Sequence, residues 1–281
     1  MQEFSFHCPT EIVFGRGVEE RTAELLRKYG AHRVFIVYGG GSVIKSGLLA
    51  RVERVITAAG LAFSVRGGVR PNPRLSFARE AVREAIDFEA DFLLAVGGGS
   101  VIDTAKAIAH GTANPETDLW DFWSGKKELK KSLPVGVILT LPAAGSETSD
   151  SSVLTNEETG EKAGLPSPFN RPAFAILNPE LAFSLSSPQL AAGIADIVMH
   201  TLERYMTHTE GNEFTDLLAE ALLQNVAKYA PIVLAHHKNY EAMSEIMWCG
   251  TISHCGLTGL GRDKDFSVHK LGHALSARYD T

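Results

Sequence analysis

The sequence has 281 residues, of which 44% are hydrophobic and 21% are charged, and its formal net charge is −6. This length allows two ordinary domains, and this composition is typical of a chain that buries a core, which excludes a disordered tail. This mildly acidic net charge gives no electrostatic reason for binding nucleic acid or an anionic membrane, so we expect neither partner.

The cellular compartment is predicted from the N-terminus, the apolar runs and the cysteines. The N-terminus has no signal-peptide pattern, and on inspection no apolar run reaches the length of a membrane span. The cysteines Cys8, Cys249 and Cys255 form no Cys-x-x-Cys pair. We expect reduced thiols in a cytoplasmic protein, with a Cys249–Cys255 disulfide as the less favoured alternative.

The first half of the chain alternates short apolar runs with amphipathic stretches. Strands are predicted at residues 33–38, 62–65, 92–96 and 135–139. Helices are predicted between them, one ending at Gly60 and the others over residues 78–88 and 101–110. Short buried strands separated by amphipathic helices are typical of a parallel sheet that is covered on both faces.

After about residue 180 the pattern becomes helical. Long helices are predicted over residues 188–206, 213–235 and 240–257, with no strand between them. We therefore predict an α/β dinucleotide-binding domain over residues 1–180 and an all-helical, metal-binding domain over residues 181–281. A last helical pattern over residues 269–279 is still apolar where the sequence stops, so we expect the helical domain to be incomplete.

Two identical Gly-Gly-Gly-Ser turns, at residues 39–42 and 97–100, each follow a predicted strand. Such a turn lets backbone amides approach an anion, and the helix after the second turn adds its dipole, which suits a pyrophosphate. The spacing differs from the usual dinucleotide fingerprint, so a tight turn that needs positive φ stays an alternative. The first turn has no carboxylate and lies near Lys45, which favours NADP over NAD unless Lys45 simply faces solvent.

Two pairs of residues four apart lie in the helical half: Asp196 with His200, and His269 with His273. Residues at this spacing share one face of a helix, and one carboxylate with imidazoles from two helices suits Fe²⁺ or Zn²⁺. Asp196 lies in a mostly apolar segment, where an unpaired carboxylate is costly. A hydrogen-bonded core histidine or a surface pair is the alternative for each residue alone, but the four together favour a metal.

Taken together, these motifs resemble the iron-containing (group III) alcohol dehydrogenase family, in its branch of NADPH-dependent butanol dehydrogenases and aldehyde reductases. The resemblance covers the whole chain and implies a cofactor domain, a helical domain and an active site in the cleft between them. The residues that carry it, in chain order, are Phe14-Gly15-Arg16-Gly17, residues 38–42, Pro71-Asn72-Pro73, residues 97–100 with Asp103 and Lys106, residues 140–147, Leu177-Asn178-Pro179, residues 193–196, His200 with Glu203, and residues 269–273.

The resemblance also implies roles for individual residues. Asp196, His200 and His269 match metal ligands, and His273 matches a histidine near the substrate. The residues expected to bind the cofactor are Gly40, Ser42, Asn72, Gly97, Gly98, Gly99, Ser100, Asp103, Thr140, Leu141 and Lys162. Two departures stand out: Asn178 replaces the family's usual Asp, and the family's fourth metal ligand would fall just past Thr281.

We therefore predict a metal-dependent enzyme that transfers hydride between NADP(H) and a small aldehyde or primary alcohol, and that forms a homodimer. His273 is the candidate proton relay, because an imidazole can titrate near neutral pH. Three alternatives stay open: a polyol dehydrogenase of the glycerol type, a metal-dependent lyase or cyclase like dehydroquinate synthase, and an inactive nucleotide-binding remnant.

Overall fold

The computed structural model describes residues 2–279, and its N-terminal region is built on a six-stranded sheet. Along the sheet the order is β1-β8-β5-β4-β2-β3, and every neighbouring pair is parallel. The strands of the whole structure are β1 (Glu11–Phe14), β2 (Arg33–Tyr38), β3 (Ala62–Arg66), β4 (Phe92–Gly97), β5 (Val135–Leu139), β6 (Ser151–Asn156), β7 (Glu161–Pro166) and β8 (Phe174–Leu177).

Helices cover both faces of this sheet, because successive side chains of each strand point to opposite sides. On β2, Val34 and Ile36 pack with residues of α1 and α3, whereas Phe35 and Val37 pack with α4 and α5. Strand β4 is buried along its whole length, as expected for a central strand of a parallel sheet. The helices of this region are α1 (Thr22–Lys28), α2 (Ser42–Lys45), α3 (Leu48–Ala58), α4 (Leu75–Asp87), α5 (Gly99–Ala113) and α6 (Trp120–Trp123).

The C-terminal region is helical, with α7 (Ser187–Tyr205), α8 (Glu213–Ala235), α9 (Tyr240–His254) and α10 (Ser267–Tyr279). Helix α7 begins with a capping box in which Ser186 and Gln189 satisfy each other's backbone amides. Helices α7, α8 and α9 pack on one another. The predicted fold class, a parallel sheet with helices followed by a helical region, is therefore confirmed.

Four strands, β1, β6, β7 and β8, were not predicted from the sequence, which indicated no strand before residue 33 or between residues 140 and 180. The four-residue edge strand β1 and its neighbour β8 are short, and β6 and β7 are rich in polar residues. Strands β6 and β7 form an antiparallel hairpin in which Thr155 lies opposite Lys162. This hairpin carries Lys162 towards the carboxyl edge of the main sheet, so its omission concealed part of the site.

Helix α8 contradicts the expectation that no apolar run reaches the length of a membrane span. This helix has 23 residues, and an 18-residue window of it has a mean hydropathy of 1.2, so it is long and apolar enough to cross a membrane by length and composition. One such helix is weak evidence for a membrane span. Only 22% of this window is buried, and α8 packs along both α7 and α9. The three cysteines are free thiols, so the alternative disulfide between Cys249 and Cys255 is not formed.

Candidate active site

The expected cofactor turns meet at one edge of the sheet. Strands β5, β4 and β2 are neighbours, so the segments that follow their carboxyl ends lie side by side: Thr140 and Leu141, residues 98–100, and residues 39–42. The Thr140 amide donates a hydrogen bond to the Gly97 carbonyl at 3.1 Å, which ties two of these segments together. Open parallel sheets bind ligands at this edge, beyond the ends of their strands.

Close packing is the reason for glycine in the second turn. Gly98 has φ −95° and ψ −169°, and none of Gly97, Gly98 and Gly99 has positive φ, so the alternative of a positive-φ turn is wrong. A Cβ at Gly97 would lie 2.5 Å from Cγ2 of Val101, and a Cβ at Gly98 would lie 3.0 Å from Cβ of Leu141. The second turn therefore passes close to Val101 and Leu141, and its glycines place no side chain over its backbone.

The first turn is more open. A Cβ added at Gly40 would meet no atom within 4 Å, and Ser42 and Lys45 are exposed. No carboxylate occurs between residues 38 and 45. The end of β2 therefore offers room to a ligand and supplies no carboxylate of its own.

Asp103 belongs to a buried polar network rather than to an open surface. Its carboxylate accepts hydrogen bonds from the Ser146 hydroxyl at 2.6 Å and from the Val153 amide at 2.9 Å. Lys106, also on α5, is fully buried and donates to the Ser146 and Ser151 carbonyl oxygens, each at 2.8 Å. Burial lowers the pKa of Lys106 to about 8, although Asp103 opposes this shift. The network fixes residues 146–153 beside the cofactor edge.

Asn72, Lys162 and a residue of α10 form a second polar group. Nζ of Lys162 donates to Oδ1 of Asn72 at 2.8 Å and to Oγ of Ser276 at 3.1 Å. The Ser276 hydroxyl also donates to Oδ1 of Asn72, at 2.7 Å. Burial lowers the pKa of Lys162, although the charges of Asp103 and Asp196 favour its protonated form. Two expected cofactor residues are thus in contact with each other and with the helix that carries His269.

The expected metal ligands converge. Asp196 and His200 share a face of α7, and His269 reaches them from α10. One ligand atom from each residue lies within 4.8 Å of the others. Nε2 of His269 is 3.3 Å from Oδ1 of Asp196, and Nδ1 of His200 is 3.5 Å from the same oxygen. One carboxylate with two imidazoles is a donor set that suits Fe²⁺ or Zn²⁺.

The charge states at this cluster also suit a cation. Burial lowers the pKa of His200 to about 4, so its imidazole is neutral at pH 7. Burial would raise the pKa of Asp196, but the hydrogen bond with His269 and the charge of His269 hold it below its usual value. Within residues 2–279, the buried Nδ1 of His200 has no hydrogen-bond partner. A cation would satisfy this atom and the carboxylate together.

His273 lies in the same region but in a different electrostatic state from the one expected. Burial lowers its pKa to about 4, and the charges of Lys162 and His269 add to this shift. The structure therefore does not support titration of His273 near neutral pH. Its assignment as the proton relay stays a prediction, now for a neutral imidazole.

Sequence reasoning gave no role to several residues that surround the candidate ligands. The His254 ring, at the end of α9, lies 4.1 Å from the His200 ring between centroids. Nη2 of Arg204 donates to Nδ1 of His254 at 2.7 Å, and burial lowers the His254 pKa well below its usual value. The carboxylate of Glu203 contacts His269. Glu203 was named in the sequence only as part of the family motif. The i, i+4 spacing from His200 could have shown Arg204, but nothing in the sequence placed His254 there.

Comparison with known proteins decides the family. Residues 9–179 match the family model "Iron-containing alcohol dehydrogenase", and residues 190–281 match "Fe-containing alcohol dehydrogenase family, C-terminal". The chain belongs to the iron-containing alcohol dehydrogenase family. This confirms the resemblance found in the sequence, and with it the prediction of an oxidoreductase of the alcohol dehydrogenase and aldehyde reductase class that works with NAD(P) and iron.

Individual relatives within the family are similar over the whole of this chain. The probable NADH-dependent butanol dehydrogenase 1 of Bacillus subtilis is 42% identical over 280 residues, which cover 100% of this chain and 72% of the relative. The NADPH-dependent aldehyde reductase YqhD of Escherichia coli is 37% identical, with 99% and 72% covered. The crystal structure of NADH-dependent butanol dehydrogenase A from Thermotoga maritima superposes with a TM-score of 0.97 at 36% identity, covering 100% of this chain and 70% of that one.

Proposed function

We propose that this chain uses NADP(H) to reduce small aldehydes, and to oxidise the corresponding primary alcohols, at a metal site formed by Asp196, His200 and His269. The convergence of these three side chains from two helices is the observation that carries the proposal. Three protein ligands leave coordination positions open for a substrate oxygen. When bound, Fe²⁺ or Zn²⁺ supplies Lewis acidity to the carbonyl and the nicotinamide supplies the hydride.

The cofactor side of the proposal rests on the edge formed by β5, β4 and β2. There Gly97, Gly98, Gly99 and Ser100 would hold the pyrophosphate with backbone amides, and Thr140 and Leu141 would line the nicotinamide side. Asn72 and Lys162 stand between this edge and α10. Asp103 would act through Ser146, by holding the segment beside the cofactor.

Preference for NADP over NAD is proposed from the first turn, where Gly40 and Ser42 leave room for a 2′-phosphate and residues 38–45 contain no carboxylate that would repel it. The names of the relatives differ on this point, since several are NADH-dependent, one is NADPH-dependent and another is NADP-dependent. Gly39→Asp is the matched test, because a Cβ at Gly39 meets only ordinary contacts, Val101 Cγ2 at 3.4 Å and the Val69 carbonyl oxygen at 3.5 Å. The variant should weaken NADPH binding more than NADH binding. Equal dissociation constants for the two cofactors in the unmodified protein would contradict the preference.

Proton delivery is proposed for His273. Its ring lies on α10, one turn beyond His269, and its pKa of about 4 keeps it neutral at pH 7. A neutral imidazole has one N–H to donate and one nitrogen to accept, so it can pass a proton without holding a charge. Loss of this step would lower kcat more than it raises KM for the aldehyde.

The reaction class is tested by aldehyde-dependent loss of NADPH absorbance with short straight-chain aldehydes and Fe²⁺- or Zn²⁺-loaded protein. His200→Ala, which removes one ligand, serves as the blank. Turnover by the unmodified protein and none by the variant is the expected result. Absence of turnover with every aldehyde would refute the proposal. The homodimer, the cytoplasmic location and the domain boundary near residue 180 stay predictions, and light scattering tests the first.

A further inference from the structure

A carboxylate on α7 contacts only one residue of the candidate metal site, and it contacts that residue twice. The Glu203 side chain is 6% exposed. Its Oε1 accepts a hydrogen bond from the backbone amide of His269 at 3.0 Å, and its Oε2 contacts Nδ1 of the same residue. Glu203 lies three residues after His200, on the same face of α7, so it approaches His269 from beside the ligands.

This contact determines which nitrogen of His269 is left for a cation. Nε2, the other ring nitrogen, lies 3.3 Å from Oδ1 of Asp196 and so faces the cluster. A neutral imidazole carries a single ring proton, and a carboxylate at Nδ1 holds that proton at Nδ1. The lone pair then stays on Nε2, which is the form that can bind a metal.

The same contact also locates the helix. None of the residues of α10 from 267 to 279 is buried, and Val268, Leu271 and Leu275 are each more than half exposed. Burial of apolar side chains therefore contributes little to the position of α10 among the described residues. The helix is tied at its first turn by Glu203 and about two turns later by Ser276.

We propose that Glu203 is a positioning residue for the metal site: its carboxylate fixes the Nδ1–H form of His269 and aims Nε2 at Asp196 and His200, and so sets the affinity for a divalent metal. The inference rests on the proposed metal site and goes beyond its three ligands. Partners of this kind behind a ligating histidine typically contribute about 10- to 100-fold to metal affinity.

Glu203→Gln is the direct test, because it keeps the size of the side chain but removes the charge. The new amide can donate to Nδ1, which favours the imidazole with its proton on Nε2 and no lone pair for the metal. With Co²⁺ as the probe, chelator competition should show a roughly 10- to 100-fold loss of affinity. The visible absorption of the bound Co²⁺ should change as well, since it reports ligand geometry.

Two control variants separate positioning from general effects. Glu220→Gln removes a carboxylate of α8 that accepts a hydrogen bond from Tyr205 at 2.7 Å, and it should leave Co²⁺ affinity within twofold. Ser276→Ala loosens the other tie of α10 without touching the His269 ring. It should weaken Co²⁺ far less than Glu203→Gln does. If Ser276→Ala lost as much Co²⁺ affinity as Glu203→Gln, Glu203 would be only a tether for α10, and the inference would be overturned.

The remaining outcomes distinguish the inference from the proposed function. If the unmodified protein binds no Co²⁺, the metal site itself fails, and the inference with it. If it binds Co²⁺ and Glu203→Gln binds equally well, only the inference fails. Should the variant not fold, ¹⁵N NMR of the histidine rings in the unmodified, metal-free protein at pH 9 decides. A proton on Nδ1 of His269 supports the inference, and a proton on Nε2 overturns it.

Discussion

Replacing Gly193 with Ala should damage both stability and activity, because α7 crosses the cofactor-side segment at this residue with no room for a side chain. A Cβ at Gly193 would lie 2.4 Å from the Pro142 carbonyl oxygen and 3.2 Å from Cβ of Ala143. Carbon and oxygen atoms ordinarily stay about 3.3 Å apart, so the two backbones must separate by roughly 1 Å. Neither neighbour is the flexible end of a side chain that could move aside.

The magnitude follows from two opposing effects. Overpacking of this kind costs about 1–3 kcal/mol. The better helix propensity of Ala offsets about 1 kcal/mol of that cost, so a net loss of up to about 2 kcal/mol is expected. Asp196 lies one turn further along α7. Moving it by about 1 Å relative to the cofactor edge should lower kcat about 100-fold.

Urea denaturation and steady-state aldehyde reduction measure the two effects of Gly193→Ala. Gly250→Ala is the matched control, because its Cβ would meet the movable end of Ile197 at 3.3 Å and the Ala143 nitrogen at 3.5 Å. The control should be nearly as active as the unmodified protein. A Gly193→Ala variant with unchanged stability and kcat would refute the argument that this contact sets the distance between α7 and the cofactor edge.

Two further predictions concern buried polar residues away from the ligands. Burial lowers the pKa of His110 to about 4, so below pH 6.5 the unfolded chain binds a proton that the folded chain does not. The unfolding free energy should thus fall by roughly 2 kcal/mol between pH 7 and pH 5 through this residue. His110→Gln should flatten the urea-measured decline, and an unchanged decline would contradict this assignment. Asn178 donates to buried Glu19 at 2.9 Å. Asn178→Asp would bring two carboxylates together and lower the unfolding free energy by about 1–3 kcal/mol. Adding Glu19→Gln in a double variant should restore that stability. Equal urea midpoints for Asn178→Asp and the unmodified protein would show that the contact is unimportant.

The buried strands could be predicted because their sequences are apolar runs bounded by glycine, proline or a polar residue. Strands β2, β4 and β5 were found with boundaries within one residue of those observed. Strands β6 and β7 could not be found in the same way, since SSVLTN and EKAGLP carry neither an apolar run nor a clean alternation. Their pairing depends on packing against α5 and α6, which is information from distant parts of the chain.

The ligands were visible in the sequence because each pair repeats at helical spacing, but the connections between them were not. Nothing in the sequence states that α10 returns to α7 so that His269 meets Asp196. The same holds for Lys106, which looks like a surface lysine of α5 yet is fully buried beneath Ser146 and Ser151. Contacts between residues 40 or more positions apart depend on the completed fold, and local patterns do not encode them.

The contacts of Asn178 explain why this chain has an asparagine where the family usually has an aspartate. The side chain has two tasks at once: its oxygen caps the Glu180 amide at 3.0 Å, and its amide donates to Glu19. An aspartate could perform the first task but not the second, because it has no donor when ionised. The substitution is therefore fitted to a buried glutamate in this chain.

The candidate ligands are held in two different ways, and this difference links metal binding to the position of α10. Asp196 and His200 lie on α7, which is capped at its start and packed against α8 and α9. His269 lies on α10, which is attached through Glu203 at one end and Ser276 at the other. A cation that binds all three ligands adds a third attachment, so it stabilises the docked helix in proportion to its affinity for that state. Because Ser276 contacts Asn72 and Lys162, the helix that completes the candidate metal site also contacts two of the residues expected to bind the cofactor.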